Sequence, residues 1–433
     1  MRILAGSVIL VGKKMFVGKA TLVGKVILVG RAILVGSAIL AGMVLPTDGV
    51  VKASSTLPTS NPVPTRVLLP TRIKLPARNT LTLPSQTSQL RLPPVRTEVA
   101  PGIHLFRTEP YGDVGLDGNS IAIISNNGVL VFDTNGTPSA AAAVLAEIRK
   151  LTPQPVRYIV NSHWHWDHWY GTEVYTRAFP DVKVVAHEKT RAMMAGPAIE
   201  FNRPGLESQL PGYLAGIEQR VAKAEATTPA PPELPRLRKA LDDGRFFLEQ
   251  KKQVQHASPD LTFSRQLTLH LGDREIRVLH HDRAVTPGDA FLYLPKEKIV
   301  ITGDLLVNPI SFALSSYPTG WLRTLEYIDG LDATLLVPGH GEPLRDKSLF
   351  HATMGVFREL LKQGAAARAR GLDPDAARVE ISPTLRELRA QITGEVPAAN
   401  NAFEIQLVDW YLHRVYDELA GPLSDAIAPI PPK

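Results

Sequence analysis

Three histidines and an aspartate fall within six residues, His163-Trp164-His165-Trp166-Asp167-His168, directly after the apolar run at residues 156–161. With 12 histidines in 433 residues, chance delivers such a cluster with an expectation on the order of 10⁻³ or less. The apolar run reads as a short strand. The cluster then sits at the strand's carboxyl end, where irregular backbone lets side chains i, i+2, i+4 and i+5 converge. Imidazole and carboxylate together suit Zn²⁺ and other borderline metals. The chain has no cysteine, so thiolate ligands, a Cys nucleophile and a disulfide framework are excluded. The competing reading, a surface loop packed by Trp164, Trp166 and Trp169, is disfavoured by the density of the motif.

The formal charge of +6 invites a nucleic-acid reading, but its distribution argues otherwise. Residues 1–97 carry 13 Lys/Arg against the single acid Asp48, leaving 35 basic and 41 acidic side chains in residues 98–433. The body is mildly acidic, whereas a nucleic-acid binder concentrates basic residues in its folded domain. The expected partner is a small-molecule substrate.

The leader, residues 1–53, repeats glycine with a period of six from Gly6 to Gly42. Seven hexads are too few for a stacked β-helix to bury a core. Basic residues Lys13 to Arg31 followed by an apolar run at 32–45 and the small-residue site Val51-Lys52-Ala53 match the order of a secretory signal peptide. Export, to the periplasm or beyond, is the expectation. An uncleaved membrane anchor and a start codon upstream of the true one are the alternatives. Residues 54–97 hold eight prolines and read as an extended linker, so folding is expected to begin near Glu98.

From there, strand signals at 102–107, 120–125 and 129–133 precede an alanine-rich helix at 139–151. Further strands read at 182–186, 261–271, 275–280, 290–294 and 298–302, with helices dominating after Leu322. Residues 190–257 form a helical, proline-broken insertion, and residues 371–433 a helical extension of a domain spanning 98–370. Strands in two blocks, each followed by helices, suggest an α/β fold of two sheets with helices outside.

Two distant fragments resemble strand ends that carry ligands. Thr302-Gly303-Asp304 closes an apolar run with an acid, and Pro338-Gly339-His340-Gly341 closes another with a histidine. Alone, the first reads equally as a cap and the second as a solvated loop; beside the cluster they supply ligands for a two-metal centre. With Thr286-Pro287-Gly288-Asp289, in this order, they make the chain resemble the metallo-β-lactamase superfamily of hydrolases over roughly residues 102–361. The resemblance implies an αββα sandwich of two mixed sheets. It also implies that His163 and His165 bind a first metal, that Asp167, His168 and His340 bind a second, and that Asp304 bridges the two.

One position departs from that pattern: Val285 stands where the family has a first-metal histidine, and valine cannot coordinate. His280 and His281, just upstream, are candidate substitutes, set against packing at a strand end. The resemblance therefore implies one tightly held zinc, in the second position, and a second zinc only where a substitute ligand completes the depleted first position. The activity it implies is hydrolysis of a lactam, lactone or thioester by metal-activated water, with Asp167 orienting that water. The alternative is a catalytically weak relative that keeps one metal for binding or structure. His187 is a candidate support residue or a structural histidine, and Tyr317 and Trp321 are candidate substrate-lining residues, with packing the equal alternative. Asp133-Thr134-Asn135-Gly136 reads as a turn.

Overall fold

The computed structural model describes residues 92–427; the hexad repeat, the apolar run and the proline-rich stretch through Arg91 lie outside the described residues. Val95–Ala100 (β1), Ile103–Arg107 (β2), Ser120–Ser125 (β3), Gly128–Phe132 (β4), Val156–Val160 (β5), Lys183–His187 (β6) and Leu261–Phe263 (β7) form a seven-stranded sheet in that order. Its first three pairings are antiparallel and its last three parallel. Gln266–Leu271 (β8), Arg274–Leu279 (β9), Phe291–Leu294 (β10), Ile299–Gly303 (β11) and Leu335–Pro338 (β12) form a second sheet of five, with only β11 and β12 parallel.

The two-residue period of each strand divides its side chains between two cores. On β4, Leu130 and Phe132 face the other sheet, while Val129 and Val131 pack under the helix Pro138–Leu151 (α1). On β10, Leu292 and Leu294 enter the core between the sheets. Phe291 and Tyr293 point the other way, towards Pro318–Asp329 (α4), Ser348–Ala369 (α5) and Trp410–Ala420 (α6), with Trp321, Phe357 and Tyr411 among their neighbours. The result is helix, sheet, sheet, helix, as the resemblance implied.

Between β6 and β7 the insertion runs through Leu210–Glu225 (α2) and Leu234–Lys252 (α3). Its apolar face buries Leu214, Leu237, Leu241 and Phe247 against Trp164, Trp166 and Trp169. The tryptophans of the histidine cluster thus face the insertion. No helix among the described residues is long and apolar enough to cross a membrane.

Two expected boundaries move. The sheet begins at Val95, three residues before Glu98, because β1 finds a partner in β2 along Val95–Ala100. The run read as one strand at 261–271 is two: β7 pairs with β6, the chain turns at Ser264-Arg265, and β8 pairs with β9 in the other sheet.

Candidate metal centre

The site gathers at the carboxyl ends of β4, β5, β11 and β12, which deliver Asp133, the His163–His168 segment, Asp304 and His340 respectively. Glycine makes the close approach possible. A Cβ on Gly339 would lie 2.1 Å from Asp304 Oδ1, so the His340 loop passes the Asp304 carboxylate only with glycine there. The loop is held in place from the first sheet: Asn119 Nδ2 donates to the carbonyls of Pro338 and Gly341 at 2.8 and 3.0 Å.

Two donor groups result, His163 with His165 and Asp304, and Asp167 with His168 and His340. They touch. His168 Nε2 lies 3.2 Å from Asp304 Oδ1, 3.4 Å from Asp167 Oδ2 and 3.3 Å from His340 Nε2. His340 Nε2 lies 3.1 Å from Asp167 Oδ2 and 3.5 Å from Asp304 Oδ1. Asp304 belongs to both groups, since its other oxygen is 3.8 Å from His163 Nε2. His163 Nε2 is buried and has no hydrogen-bond partner among the described residues. Leaving such an atom bare costs ~1–3 kcal/mol, and a cation held between it and the Asp304 carboxylate removes that cost. The residues present fit a divalent metal ion.

The imidazoles are oriented from behind. His168 Nδ1 pairs with Asp133 Oδ2 at 2.8 Å, and His163 Nδ1 with Ser162 Oγ at 2.8 Å. Both rings therefore turn Nε2 towards the donor set. Asp133 also accepts from the Ser162 backbone N–H and hydroxyl, each at 2.7 Å. It does so with φ at +58°, a left-handed conformation that costs a non-glycine residue energy and clusters at functional sites. The segment read as a plain turn is thus the support of the centre. Asp289, which the sequence places in the Thr286–Asp289 motif without a role, is a further buried acid. Its Oδ2 accepts from Thr286 N at 2.8 Å, its Oδ1 lacks a partner among the described residues, and burial, with Asp304 adding, pushes it up to about 7.

Charge at the centre is strongly biased. Burial works against both carboxylates, but His168 and His340 outweigh it and hold Asp167 and Asp304 well below the usual carboxylate range. Burial equally opposes charge on His168, yet Asp304, Asp167 and Asp133 raise its pKa well above the usual histidine value. His340 is raised by Asp304 and Asp167 in the same way, also against burial. His163 and His165 are pushed down by burial, His165 to about 4, and stay neutral.

Five sequence candidates fall elsewhere. His280 stacks on His187 with ring centroids 4.0 Å apart, and its Nδ1 bonds the Asp289 carbonyl at 2.8 Å. His281 stacks on Tyr327 at the surface. Neither joins a donor group, so neither replaces the histidine missing at Val285, which is itself fully buried in an apolar cluster with Leu305 and Leu306. Trp321 is core: it packs on Phe357 at 4.6 Å, and its indole N–H bonds the Leu305 carbonyl. Tyr317 is buried with its hydroxyl on the Ser424 carbonyl at 2.8 Å. The pocket beside the metal ligands is lined instead by Trp164, His165, Phe201, Phe312 and Ile427, among others. His187 is a packing residue, with Nε2 on the Ser264 carbonyl and Nδ1 accepting from Lys189 N.

Residues 113–340, just over half of the chain, match the sequence profile of the metallo-beta-lactamase superfamily. The chain belongs to that superfamily. A linear primary-alkylsulfatase from Pseudomonas sp. (strain ATCC 19151) is 22% identical over 281 residues, covering 60% of this chain and 49% of the relative. The chain thus spans about half the length of the curated relative it matches. Among solved structures, a double mutant of the sec-alkyl sulfatase PisA1 aligns with a TM-score of 0.51 at 16% identity, over 77% of this chain and 51% of the other. A metallo-beta-lactamase from Pontibacter korlensis aligns with a TM-score of 0.44 at 18% identity, over 61% of this chain and 99% of the other. The two sheets flanked by helices are the fold shared with the sec-alkyl sulfatase structure.

Proposed function

We propose that this protein is a metal-dependent hydrolase, with zinc as the metal, acting on an ester-like or amide-like bond in a small substrate with an apolar group. The observation that carries the reading is the buried convergence of Asp167, His168, Asp304 and His340 within 3.1–3.5 Å, next to the bare His163 Nε2. When bound there, a divalent ion supplies the Lewis acidity that activates water and polarises the scissile bond.

The chain's own groups do the rest. Asp167 stays ionised beside His168 and His340, so it accepts a hydrogen bond from the attacking water and orients it. Asp133 and Ser162 fix the ring nitrogens that face the site. Trp164, Phe201 and Phe312 supply an apolar wall beside His165, which suits an alkyl or aryl group near the reacting bond. The alkylsulfatase likenesses add alkyl sulfate esters to the lactams, lactones and thioesters that the superfamily pattern implied. Metal analysis combined with a chromogenic panel of all four bond types tests the reading. Turnover that chelation abolishes and added metal restores is expected; a metal-loaded protein inert on the whole panel would overturn it.

A second reading is favoured by one observation. Val285 is buried among apolar side chains, and no other histidine moves in to complete the first position. The centre would then hold one ion firmly and turn over slowly, as a binding protein or weak hydrolase.

A further inference from the structure

After α6 the chain does not leave the domain. Residues 421–427 run back to the pocket beside His165 as a strap pinned by side chains from three separate segments. Arg283 donates to the Leu423 carbonyl at 2.7 Å and to Asp425 Oδ1 at 3.2 Å. Lys189 pairs with the other Asp425 oxygen at 2.9 Å. Tyr317, itself under the Arg283 guanidinium at 4.5 Å, donates to the Ser424 carbonyl. The strap places Ile427 in the aromatic pocket beside His165, where Trp164 meets Phe201 edge-on at 5.9 Å and His165 meets Phe312 at 5.8 Å.

With Ile427 in place the pocket keeps about 20 Å³, close to the space one water occupies. Its walls are not purely apolar. Trp164 and Trp166 line it, and each has a buried indole N–H with no acceptor among the described residues. An aromatic wall beside His165 suits a ligand that carries an apolar group next to a polar head. The clasp that holds Ile427 there is weak in kind. Asp425, Lys189 and Arg283 expose 45%, 39% and 32% of their side chains, and ion pairs so exposed are screened by water and add little.

We infer that the strap is the specificity wall of this site. Ile427 limits the length of the apolar group a ligand can place beside His165, and the Asp425 clasp sets how firmly the wall is held. The inference rests on the hydrolase reading for its biological meaning but not for its test, because ligand length is readable without turnover.

The experiment titrates the full-length, metal-loaded chain with n-alkyl sulfonates from ethyl to dodecyl, which carry acceptor oxygens and are not hydrolysed, by calorimetry and by tryptophan fluorescence. Wild type is expected to gain affinity only over the shortest homologues. Ile427→Ala removes three side-chain carbons, so its affinity should keep rising by about fourfold per methylene over roughly three further carbons. Ile427→Trp should lose binding of even the short homologues, and Asp425→Asn should move the profile in the direction of Ile427→Ala. Metal content measured in parallel must stay at the wild-type level in all variants. Superposable length profiles for wild type and Ile427→Ala, with metal retained, overturn the inference. Sulfonate binding that follows the expected profile in a protein inert on every substrate would instead sink the hydrolase reading and leave the strap standing.

Discussion

Asp133→Asn isolates the support of the centre from its ligands. The wild-type carboxylate takes Ser162 N on Oδ1, and both Ser162 Oγ and His168 Nδ1 on Oδ2. An asparagine of the same shape keeps one carbonyl oxygen. If that oxygen stays on Ser162 N, the amide N–H₂ faces His168 Nδ1. His168 then either loses its partner or adopts the other tautomer, which puts a proton on Nε2 where it blocks ligation. Outer-shell changes of this kind cost ~10–100-fold in metal affinity, or about 1.4–2.8 kcal/mol at 1.4 per tenfold. The assay is competition with a chromogenic chelator, with far-UV circular dichroism to show that the variant is folded. A folded Asp133→Asn with wild-type metal affinity would refute the reasoning, since it would show that His168 needs no fixed tautomer.

Val285→His should raise the metal content of the protein, at a packing cost of ~1–3 kcal/mol for the larger ring in a filled apolar site; alanine at His280 or His281 should release no metal, and elemental analysis of the variants checks both statements. Metal affinity should fall as pH falls, because His168 and His340 titrate above the usual histidine range and an incoming ion must displace their protons. The metal-free chain should show the opposite trend for these groups: their raised pKa values contribute stability that is present below the usual histidine pKa and lost as pH rises through the raised values. Chelator competition and urea melts across pH, with and without metal, measure the two slopes. Trp321→Ala should destabilise the fold by ~3–5 kcal/mol through a cavity in the core, without loss of metal from the protein that remains folded; urea unfolding reads the first and elemental analysis the second.

Much of this was legible in the chain because local pattern and site coincide. The His163–His168 segment follows an apolar strand, and its spacing alone brings the ligands together. Asp304 and His340 are legible because each closes an apolar run through a glycine. Asp133 was not, since a left-handed aspartate before Thr134-Asn135-Gly136 has the composition of an ordinary turn; only the pairing of β4 with β5 brings it to His168. Trp321 and Tyr317 stayed open between pocket and core for the converse reason. An aromatic residue near a site looks the same in sequence whether it faces a ligand or the core. The break at Ser264-Arg265 was hidden because apolar alternation persists on both sides while the chain changes sheets. The strap had no signal, as its contacts lie more than a hundred residues away along the chain.

Elemental analysis of the dialysed wild type beside the Asp167→Ala/His168→Ala double variant tests the central claim, that these side chains hold a metal. The second position keeps four protein donors in the wild type, the number a tightly bound zinc usually has, so about one ion per chain should survive dialysis there. The double variant should lose most of it while remaining folded by circular dichroism. A folded double variant that keeps the wild-type metal content would contradict the assignment of the centre.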